Sequence, residues 1–227
     1  LRDGLFAFGS VGAEIRFDGA ESHASEPERG RSPASALATA IQVLQLLSSP
    51  EYLPPENGAV TVTHARLGEP SFGTTPGAGV VHATLRSGSE EGLEDLRGAI
   101  RTLVDEVAGD HEVDAHIEWR EPFPVTRNAP DVVRCIEVCA REQGLEVIRP
   151  REPFRWSEDF GHFTARFPGA LFGLGAGEDH PALHHPAYDF PDELLAIGAE
   201  LLAGAARKLT AERPAAGADA AAAGGGA

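Results

Sequence analysis

Three histidines lie close together in the last part of the chain, behind a segment that we expect to be a strand. His180, His184 and His185 follow a short apolar run at 170–174 and a glycine-rich exit at 175–177. A short apolar run bounded by turn signals predicts a buried strand, and ligands of open α/β sheets gather beyond the carboxyl ends of such strands. The pattern therefore predicts a ligand site or metal site. The alternative is a polar surface loop, since histidines without partner ligands are weak evidence.

A serine and two carboxylates open the same block and offer a second chemistry. Ser157, Glu158 and Asp159 precede the apolar run. Ser157, Asp159 and His184 would make a nucleophilic triad, but the chain has no Gly-x-Ser-x-Gly elbow around the serine. The simpler interpretation is that Glu158 and Asp159 do no more than cap a helix that starts after Ser157. Whether Glu158, Asp159, His180 or His185 takes part in a site stays open at this point.

Hydrophobic periodicity predicts a compact β-α-β-β-α-β arrangement over residues 13–120. Alternating apolar and polar residues predict half-buried strands at 13–18, 59–67, 80–86 and 113–120. Apolar residues at helical spacing predict one helix beginning near Pro33 and another over 90–108. This order is typical of two helices packed on one face of a four-stranded sheet. The open face would then carry polar residues of the strands, namely Arg16, His82, Arg86, His116 and Glu118.

The pattern changes from residue 121 onward. A helix is predicted over 131–143, a short strand at 145–148, and a last helix from Pro191 to about Leu209. Cys135 and Cys139 share one face of the first of these helices, so we expect packing residues rather than a metal site or a disulfide. The alanine- and glycine-rich end at 213–227 is expected to be disordered.

The block that contains the histidines resembles the C-terminal part of a family of dinuclear-metal amidohydrolases and peptidases. That family includes hippurate hydrolase, the auxin-conjugate hydrolases, aminoacylase and glutamate carboxypeptidase. Its pieces Ser-Glu-Asp-Phe, Pro-Gly-Ala, Leu-Gly-Ala-Gly, Leu-His-x-Pro and Asp-Phe occur here in order, at 157–160, 168–170, 174–177, 183–186 and 189–190. The first histidine of Leu-His-x-Pro is a metal ligand in the family. The resemblance therefore implies that His184 is a metal ligand.

The stretch 21–33 is similar to the start of the lid, or dimerisation, domain of the same family. Its members read Gly-Gly-His-Ala-x-x-Pro-x-x-Gly-x-(Asp or Ser)-Pro there. Five positions of this chain match the pattern, namely His23, Ala24, Pro27, Gly30 and Pro33. The two leading glycines are replaced by Glu21 and Ser22. In relatives this histidine reaches the active site of the partner subunit and donates a hydrogen bond to the oxyanion. The resemblance implies that role for His23, whose plain alternative is an exposed loop histidine.

A second lid motif concerns the substrate. The family has Asn-x-Ile-Pro and then an arginine ten residues after the proline; here the motif reads Gly73-Thr74-Thr75-Pro76, and the arginine is Arg86. The resemblance implies that Arg86 grips a substrate carboxylate, as a guanidinium can do with two parallel hydrogen bonds. The alternative is a solvated strand residue. Gly73 stands where the family has the asparagine.

The resemblance implies an α/β protein: a connecting segment at 1–12, a ferredoxin-like βαββαβ lid domain at 13–120, and the C-terminal portion of a metallohydrolase catalytic domain at 121–212. It also implies a homodimer through the lid, and cleavage of the amide bond of an N-acyl amino acid or similar small substrate. The cofactor would be a divalent metal, with zinc first and manganese or cobalt as alternatives.

The family draws most of its metal ligands, and its general base, from a segment before the lid. Nothing before Ala13 supplies them, and the sequence contains no methionine. We therefore expect an N-terminally incomplete chain that alone neither holds the metal nor hydrolyses amides. The alternative is a non-catalytic dimerisation module that functions without a metal-binding half.

Composition argues against two classes of partner. The 227 residues carry a net charge of −16, which disfavours binding to nucleic acid or to an anionic membrane surface. The sequence has neither a signal-peptide pattern nor an apolar run of about 18 residues, which predicts a cytoplasmic protein without a membrane anchor.

Overall fold

The computed structural model describes residues 1–54 and 57–211, which form two compact units. One unit, here called the lid unit, comprises Leu5–Arg127 and Glu152–Phe167. The other, here called the terminal unit, comprises Leu1–Gly4, Asn128–Arg151 and the chain from Pro168 onward. The disorder predicted for 213–227 lies outside the described residues.

The four predicted helices and the four predicted lid strands are present. In chain order the helices and strands are β1 (Gly4–Ala7), β2 (Gly9–Asp18), α1 (Ala34–Leu47), β3 (Gly58–Leu67), β4 (Ala78–Ser87), α2 (Glu90–Asp110), β5 (Asp114–Phe123), β6 (Thr126–Asn128), α3 (Pro130–Glu142), α4 (Gly161–Thr164) and α5 (Glu193–Ala211). The first lid strand begins at Gly9, so it is longer than the predicted segment that starts at Ala13.

The lid unit contains a four-stranded antiparallel sheet in the order β3-β4-β2-β5. Helices α1 and α2 pack against it and against each other, which leaves the opposite face open. The core between them is apolar, and its largest fully buried side chains include Phe17, Ile15, Leu44, Leu85, Ile100 and Val104. The predicted βαββαβ order and the α/β fold class are therefore confirmed.

The open face of this sheet is polar, as the alternation of the strands predicts. Glu14 and His82 are paired residues on β2 and β4, and His82 in turn pairs with His64 on β3. These residues line an open groove of about 740 Å³ together with Arg16 and Arg66. The sheet therefore presents charge on one side and buries apolar side chains on the other.

The terminal unit is built around α3 and α5, which pack on each other. The apolar cluster between these helices buries Ile136, Cys139, Ala140, Leu201 and Ala205. The packing role predicted for the cysteines is confirmed, because Cys139 is buried in this core, Cys135 packs against it and neither forms a disulfide. Among the described residues, no helix is both long and apolar enough to span a membrane.

The two strands predicted for the terminal unit, at 145–148 and 170–174, are wrong, since both segments lack regular structure. In the second segment, a side chain takes the place that a neighbouring strand would fill. Asn128 Nδ2 donates to the carbonyl oxygen of Leu171 at 2.7 Å, and the Leu171 N–H donates to Asn128 Oδ1 at 2.8 Å. Apolar content alone predicted a strand, but a strand also needs a partner strand for its ladder of hydrogen bonds.

Candidate functional site

His23 lies in a loop that is joined to the loop before β4. A β-bridge pairs His23 with Thr74, and the Ala24 N–H donates to the Gly73 carbonyl at 3.0 Å. The two motifs singled out in the lid sequence, around His23 and around 73–76, are therefore neighbours in space. Gly30 is needed for the close packing of this loop, because a Cβ there would lie 2.7 Å from the Ala20 carbonyl oxygen.

The ring of His23 has one nitrogen engaged. Its Nδ1 accepts the backbone N–H of Ser25 at 3.1 Å and lies 2.7 Å from the Ser25 hydroxyl. A backbone N–H can only donate, so Nδ1 must carry a lone pair, and the proton of a neutral ring is on Nε2. His23 is exposed, so this arrangement presents an Nε2–H donor to whatever approaches the loop.

Two departures from the family pattern turn out to form one contact. Ser22 stands where relatives have glycine, and Thr75 stands at their isoleucine. The two hydroxyl oxygens lie 2.9 Å apart, and the backbone N–H of Ser22 donates to Thr75 Oγ1 at 2.9 Å. The Thr75 N–H in turn donates to the Ser22 carbonyl at 2.9 Å. The loop is thus closed by hydrogen bonds between two substituted positions, a pairing that a single sequence does not reveal.

Arg86 lies near the end of β4, where it pairs with Ser10 of β2, and its side chain is half-buried. Its Nη1 donates to Ser157 Oγ at 2.9 Å and to the Arg155 carbonyl at 3.4 Å. The Ser157 hydroxyl is 2.6 Å from the Ser10 hydroxyl. Burial first, and the positive charge of Arg155 second, lower the pKa of Arg86 from its ordinary value.

These contacts change the interpretation of Ser157. The helix that follows begins only at Gly161, and its N-cap residue is Phe160, which makes no side-chain hydrogen bond, so neither Glu158 nor Asp159 is its N-cap. Ser157 also contacts Arg86 and Ser10, neither of which could take its proton as a base. A nucleophilic triad with His184 therefore has no support from the contacts in the described part of the chain. The contact of Ser157 with Arg86 was not predicted from the sequence, although Ser157 lies in the Ser-Glu-Asp-Phe motif.

The lid sheet keeps His23 and Arg86 apart. His23 follows the end of β2 at Asp18, whereas Arg86 pairs with Ser10 near the start of that strand. These two points on β2 are about 26 Å apart at about 3.3 Å per residue. The unit therefore does not bring its two candidate residues together.

His184 lies in a loop of the terminal unit and is exposed. Its backbone φ is +67°, a left-handed conformation that is uncommon for a residue with a side chain. In the described residues, no hydrogen bond engages its ring. Outliers of this kind cluster at functional sites, where surrounding structure must hold them.

The neighbouring histidines are engaged within their own loop. Both ring nitrogens of His180 face carbonyl oxygens, Pro181 at 3.0 Å and Asp189 at 2.8 Å. The ring of His180 also meets Tyr188 edge-on at 5.2 Å. His185 Nδ1 accepts the backbone N–H of Ala187 at 3.1 Å. Of the three histidines, His184 has its ring free of such contacts in the described structure.

A complete metal centre is not present within residues 1–54 and 57–211, because no three His, Cys, Asp or Glu side chains there converge on one point. The rings of His64 and His82 lie 5.1 Å apart between centroids, but no third ligand joins them among the described residues. A catalytic zinc site uses about three protein ligands, so the described residues do not fit a metal centre on their own.

The chain is similar to known proteins over nearly its whole length. The sequence profile of peptidase family M20/M25/M40 matches residues 11–208. N-acetyldiaminopimelate deacetylase of Streptococcus pneumoniae is 27% identical over 210 residues, which cover 92% of this chain and 55% of that protein. The chain spans about half the length of the curated relatives it matches.

Two solved structures share the fold. A protein of methicillin-resistant Staphylococcus aureus described as an aminohydrolase has a TM-score of 0.72 at 22% identity, over 90% of this chain and 52% of its own. A dinuclear metal-binding peptidase of Bacillus subtilis has a TM-score of 0.67 at 18% identity, over 94% of this chain and 53% of its own. The profile match runs from β2 to α5 and thus through both units, and the chain belongs to peptidase family M20/M25/M40.

Proposed function

We propose that the chain is part of a metal-dependent amidohydrolase that cleaves the amide bond of an N-acyl amino acid or a similar small substrate. The observation that carries the proposal is the environment of Arg86. This half-buried guanidinium bonds to hydroxyl and carbonyl oxygens, and no carboxylate neutralises it in the described residues. A cation held in this way is suited to the carboxylate of a substrate. Family membership and a curated relative named as a deacetylase support the amide-cleaving reaction.

His23 is the proposed oxyanion donor. The Ser25 N–H fixes the ring so that Nε2–H is the free donor, and a donor aimed at a developing oxyanion stabilises the transition state. Since His23 and Arg86 lie toward opposite ends of one lid sheet, a small substrate held by Arg86 is poorly placed to meet His23 of the same chain. The separation supports action of His23 in the site of a partner subunit.

The proposed partner is a second copy of this chain, bound through the lid. Strand β3 is an edge of the four-stranded sheet, and most of its residues after Val62 are exposed. Leu46 of α1 is 51% exposed and Leu67 of β3 is 40% exposed. An unpaired strand edge with apolar neighbours is a template for pairing with another copy.

The cytoplasmic location expected from the sequence is part of this proposal.

His184 is the proposed metal ligand of this chain. Its ring is available and its backbone is held in the left-handed region. The metal is divalent, as the dinuclear metal-binding relative suggests, with zinc first and manganese or cobalt as alternatives. When bound, such ions polarise the scissile carbonyl and activate water. Because the described residues form no three-ligand centre, we propose that His184 completes a site whose other ligands are supplied outside these residues.

Activity and metal content test the proposal together. The complete enzyme should hydrolyse at least one member of a panel of N-acyl amino acids, lose that activity on chelation, and regain it with zinc, manganese or cobalt. The 227 residues alone should bind zinc weakly and hydrolyse none of the panel. A complete enzyme with full activity after verified metal removal would contradict the proposal.

A non-catalytic dimerisation module is the second candidate, and the exposed edge of β3 favours it. The same experiment separates the two candidates. The module should form dimers whether or not metal is present, and it should leave every amide of the panel intact.

A further inference from the structure

A buried serine lies behind the guanidinium of Arg86. Ser10 of β2 is the strand partner of Arg86 on β4, and it is 5% exposed. Its hydroxyl oxygen lies 2.6 Å from Ser157 Oγ, which in turn accepts from Arg86 Nη1 at 2.9 Å. Side chains from β2, β4 and the segment 152–167 therefore form one continuous chain of hydrogen bonds.

Burial favours Ser10 as the donor in its contact with Ser157. A buried hydroxyl without an acceptor would lose the hydrogen bonds that it makes with water. Among the described residues, Ser157 Oγ is the hydrogen-bond partner that the Ser10 hydroxyl has. Ser157 is half-buried, so its own proton can be donated to solvent. With Ser10 as donor, Ser157 Oγ accepts from both Ser10 and Arg86, and a hydroxyl oxygen has two lone pairs for that purpose.

The segment that carries Ser157 is attached to β1 by other contacts as well. A parallel β-bridge joins Ala7 to Phe154, and the Phe154 N–H donates to the Phe6 carbonyl at 2.8 Å. The Phe154 ring lies 5.1 Å from that of Phe6 and stacks on Trp156 at 4.8 Å. Because these contacts hold the backbone, the segment does not depend on the Ser10–Ser157 hydrogen bond for its attachment. What that bond fixes is the orientation of the Ser157 hydroxyl.

The contacts of Arg86 leave one edge of its guanidinium available. Nη1 donates to Ser157 Oγ and, at 3.4 Å, to the Arg155 carbonyl. In the described part of the chain, no hydrogen bond engages Nε or Nη2, whose N–H groups point along a common edge. A carboxylate can accept two parallel hydrogen bonds from such an edge. Since the guanidinium is planar and rigid, holding Nη1 also orients the edge that can bind a ligand.

We propose that Ser10 is a positioning residue, which acts through Ser157 to orient the free Nε–Nη2 edge of Arg86 toward the substrate carboxylate. The inference rests on the proposed function for the assignment of Arg86 to substrate, but the orienting hydrogen bonds can be tested without it. The alternative is that Ser10 contributes only to the packing and stability of β2.

Rotation of the Arg86 guanidinium measures the effect of Ser10 in the absence of substrate. NMR of isotope-labelled arginine side chains in the 227-residue chain gives the rate at which the Nη groups of Arg86 rotate, with Arg86→Lys to assign the signals. Ser10→Ala and Ser157→Ala should each raise this rate by about two- to tenfold, as expected for the loss of one hydrogen bond. The double variant should rotate no faster than Ser157→Ala alone, because Ser10 reaches Arg86 through Ser157.

Ser87→Ala is the matched control. Ser87 follows Arg86 on β4 and is 3% exposed, so it is buried like Ser10, but its hydroxyl donates to the Asn57 carbonyl at 3.0 Å. Loss of that bond should leave the rotation rate within about twofold of that in the unsubstituted chain. An unchanged rate in Ser10→Ala would overturn the proposal. An equal increase in Ser10→Ala and Ser87→Ala would also overturn it, because a general loosening of the sheet would then explain both.

The two proposals can fail separately. In the complete enzyme, Ser10→Ala should raise KM for an N-acyl amino acid by about two- to fivefold with little change in kcat. KM for the corresponding N-acyl amine, which lacks the carboxylate, should stay the same. A complete enzyme that hydrolyses no N-acyl amino acid would contradict the proposed function, and the NMR comparison would still decide whether Ser10 orients Arg86. An active enzyme in which KM changes equally for both substrates, or for neither, would overturn the role of Ser10.

Discussion

The lid unit and the terminal unit bury their apolar residues very differently. The lid unit encloses a core between one sheet and two helices, with Ile15, Leu85 and Ile100 fully buried. The terminal unit buries few residues between α3 and α5, and several large apolar side chains line an open groove of about 720 Å³, among them Leu183, Phe190, Leu195 and Leu202. Contiguous exposed apolar surface of this kind marks a region that contacts something else.

The candidate residues of the two units also differ in how many contacts hold them in place. His23 and Arg86 are fixed by bridges, strand pairing and hydrogen bonds of the lid unit. His184 lies in an exposed loop where no hydrogen bond engages its ring among the described residues, and its backbone is in the left-handed region. The lid residues are thus held by contacts of their own unit, whereas no hydrogen bond fixes the ring of His184 among the described residues.

The largest effect is expected in the lid core. Leu85→Ala removes a fully buried side chain and should lower the free energy of unfolding by about 2–5 kcal/mol. Leu195→Ala removes a side chain that is 61% exposed, and it should change that free energy by less than about 0.5 kcal/mol. Urea denaturation of both variants checks the contrast. Similar losses would mean that Leu195 is covered in solution, for instance by another copy of the chain.

The second-largest effect is expected on kcat when His23 is replaced. In the complete enzyme, His23→Ala should lower kcat by about 10²–10³ with little change in KM, because an oxyanion donor acts on charge that develops only during the reaction. Steady-state kinetics check this, with His64→Ala as the control, since His64 is an exposed histidine of the same unit. A change in KM alone would assign His23 to substrate binding.

Arg86→Ala should behave in the opposite way. A carboxylate is present in both the ground state and the transition state, so KM should rise by about 10- to 100-fold while kcat changes less. The same kinetic measurement applies. An equal loss from Arg86→Ala with a substrate analogue that lacks the carboxylate would show that the residue acts on something else.

A smaller effect should follow from the contact behind Arg86. Ser157→Ala removes the hydroxyl that accepts from Arg86 at 2.9 Å, and KM should rise by about two- to tenfold. Ser157→Thr keeps the hydroxyl and should restore the original KM. A loss of kcat of the size expected for His23→Ala would instead make Ser157 part of the chemistry.

The sequence predicted the lid unit well because its strands and helices alternate or repeat with clear periods. Its four strands pair with one another, so periodicity and pairing agree. The segment at 170–174 was predicted wrongly, because apolar content does not reveal that Asn128 occupies the hydrogen-bonding positions of Leu171. When a side chain fills the hydrogen-bonding positions that a neighbouring strand would otherwise occupy, the sequence contains no periodic pattern that indicates it.

The candidate site was predicted only in part, for a related reason. Motifs identified His23, Arg86 and His184, whose roles stay proposals. The Ser22–Thr75 hydroxyl contact and the hydrogen bond from Arg86 to the Arg155 carbonyl join residues far apart in the chain, and neither belongs to a short pattern. The tautomer of His23 likewise follows from one backbone hydrogen bond that no composition predicts.

The central proposal is that His23 of one subunit acts at the active site of the other subunit, where His184 of that other subunit is a metal ligand. Mixing inactive His23→Ala enzyme with inactive His184→Ala enzyme tests it most directly. A mixed dimer would contain one site with an intact lid histidine and an intact metal ligand, so up to about half the activity of an unsubstituted dimer should return in mixed dimers. Verified subunit exchange without recovery of activity would contradict the account.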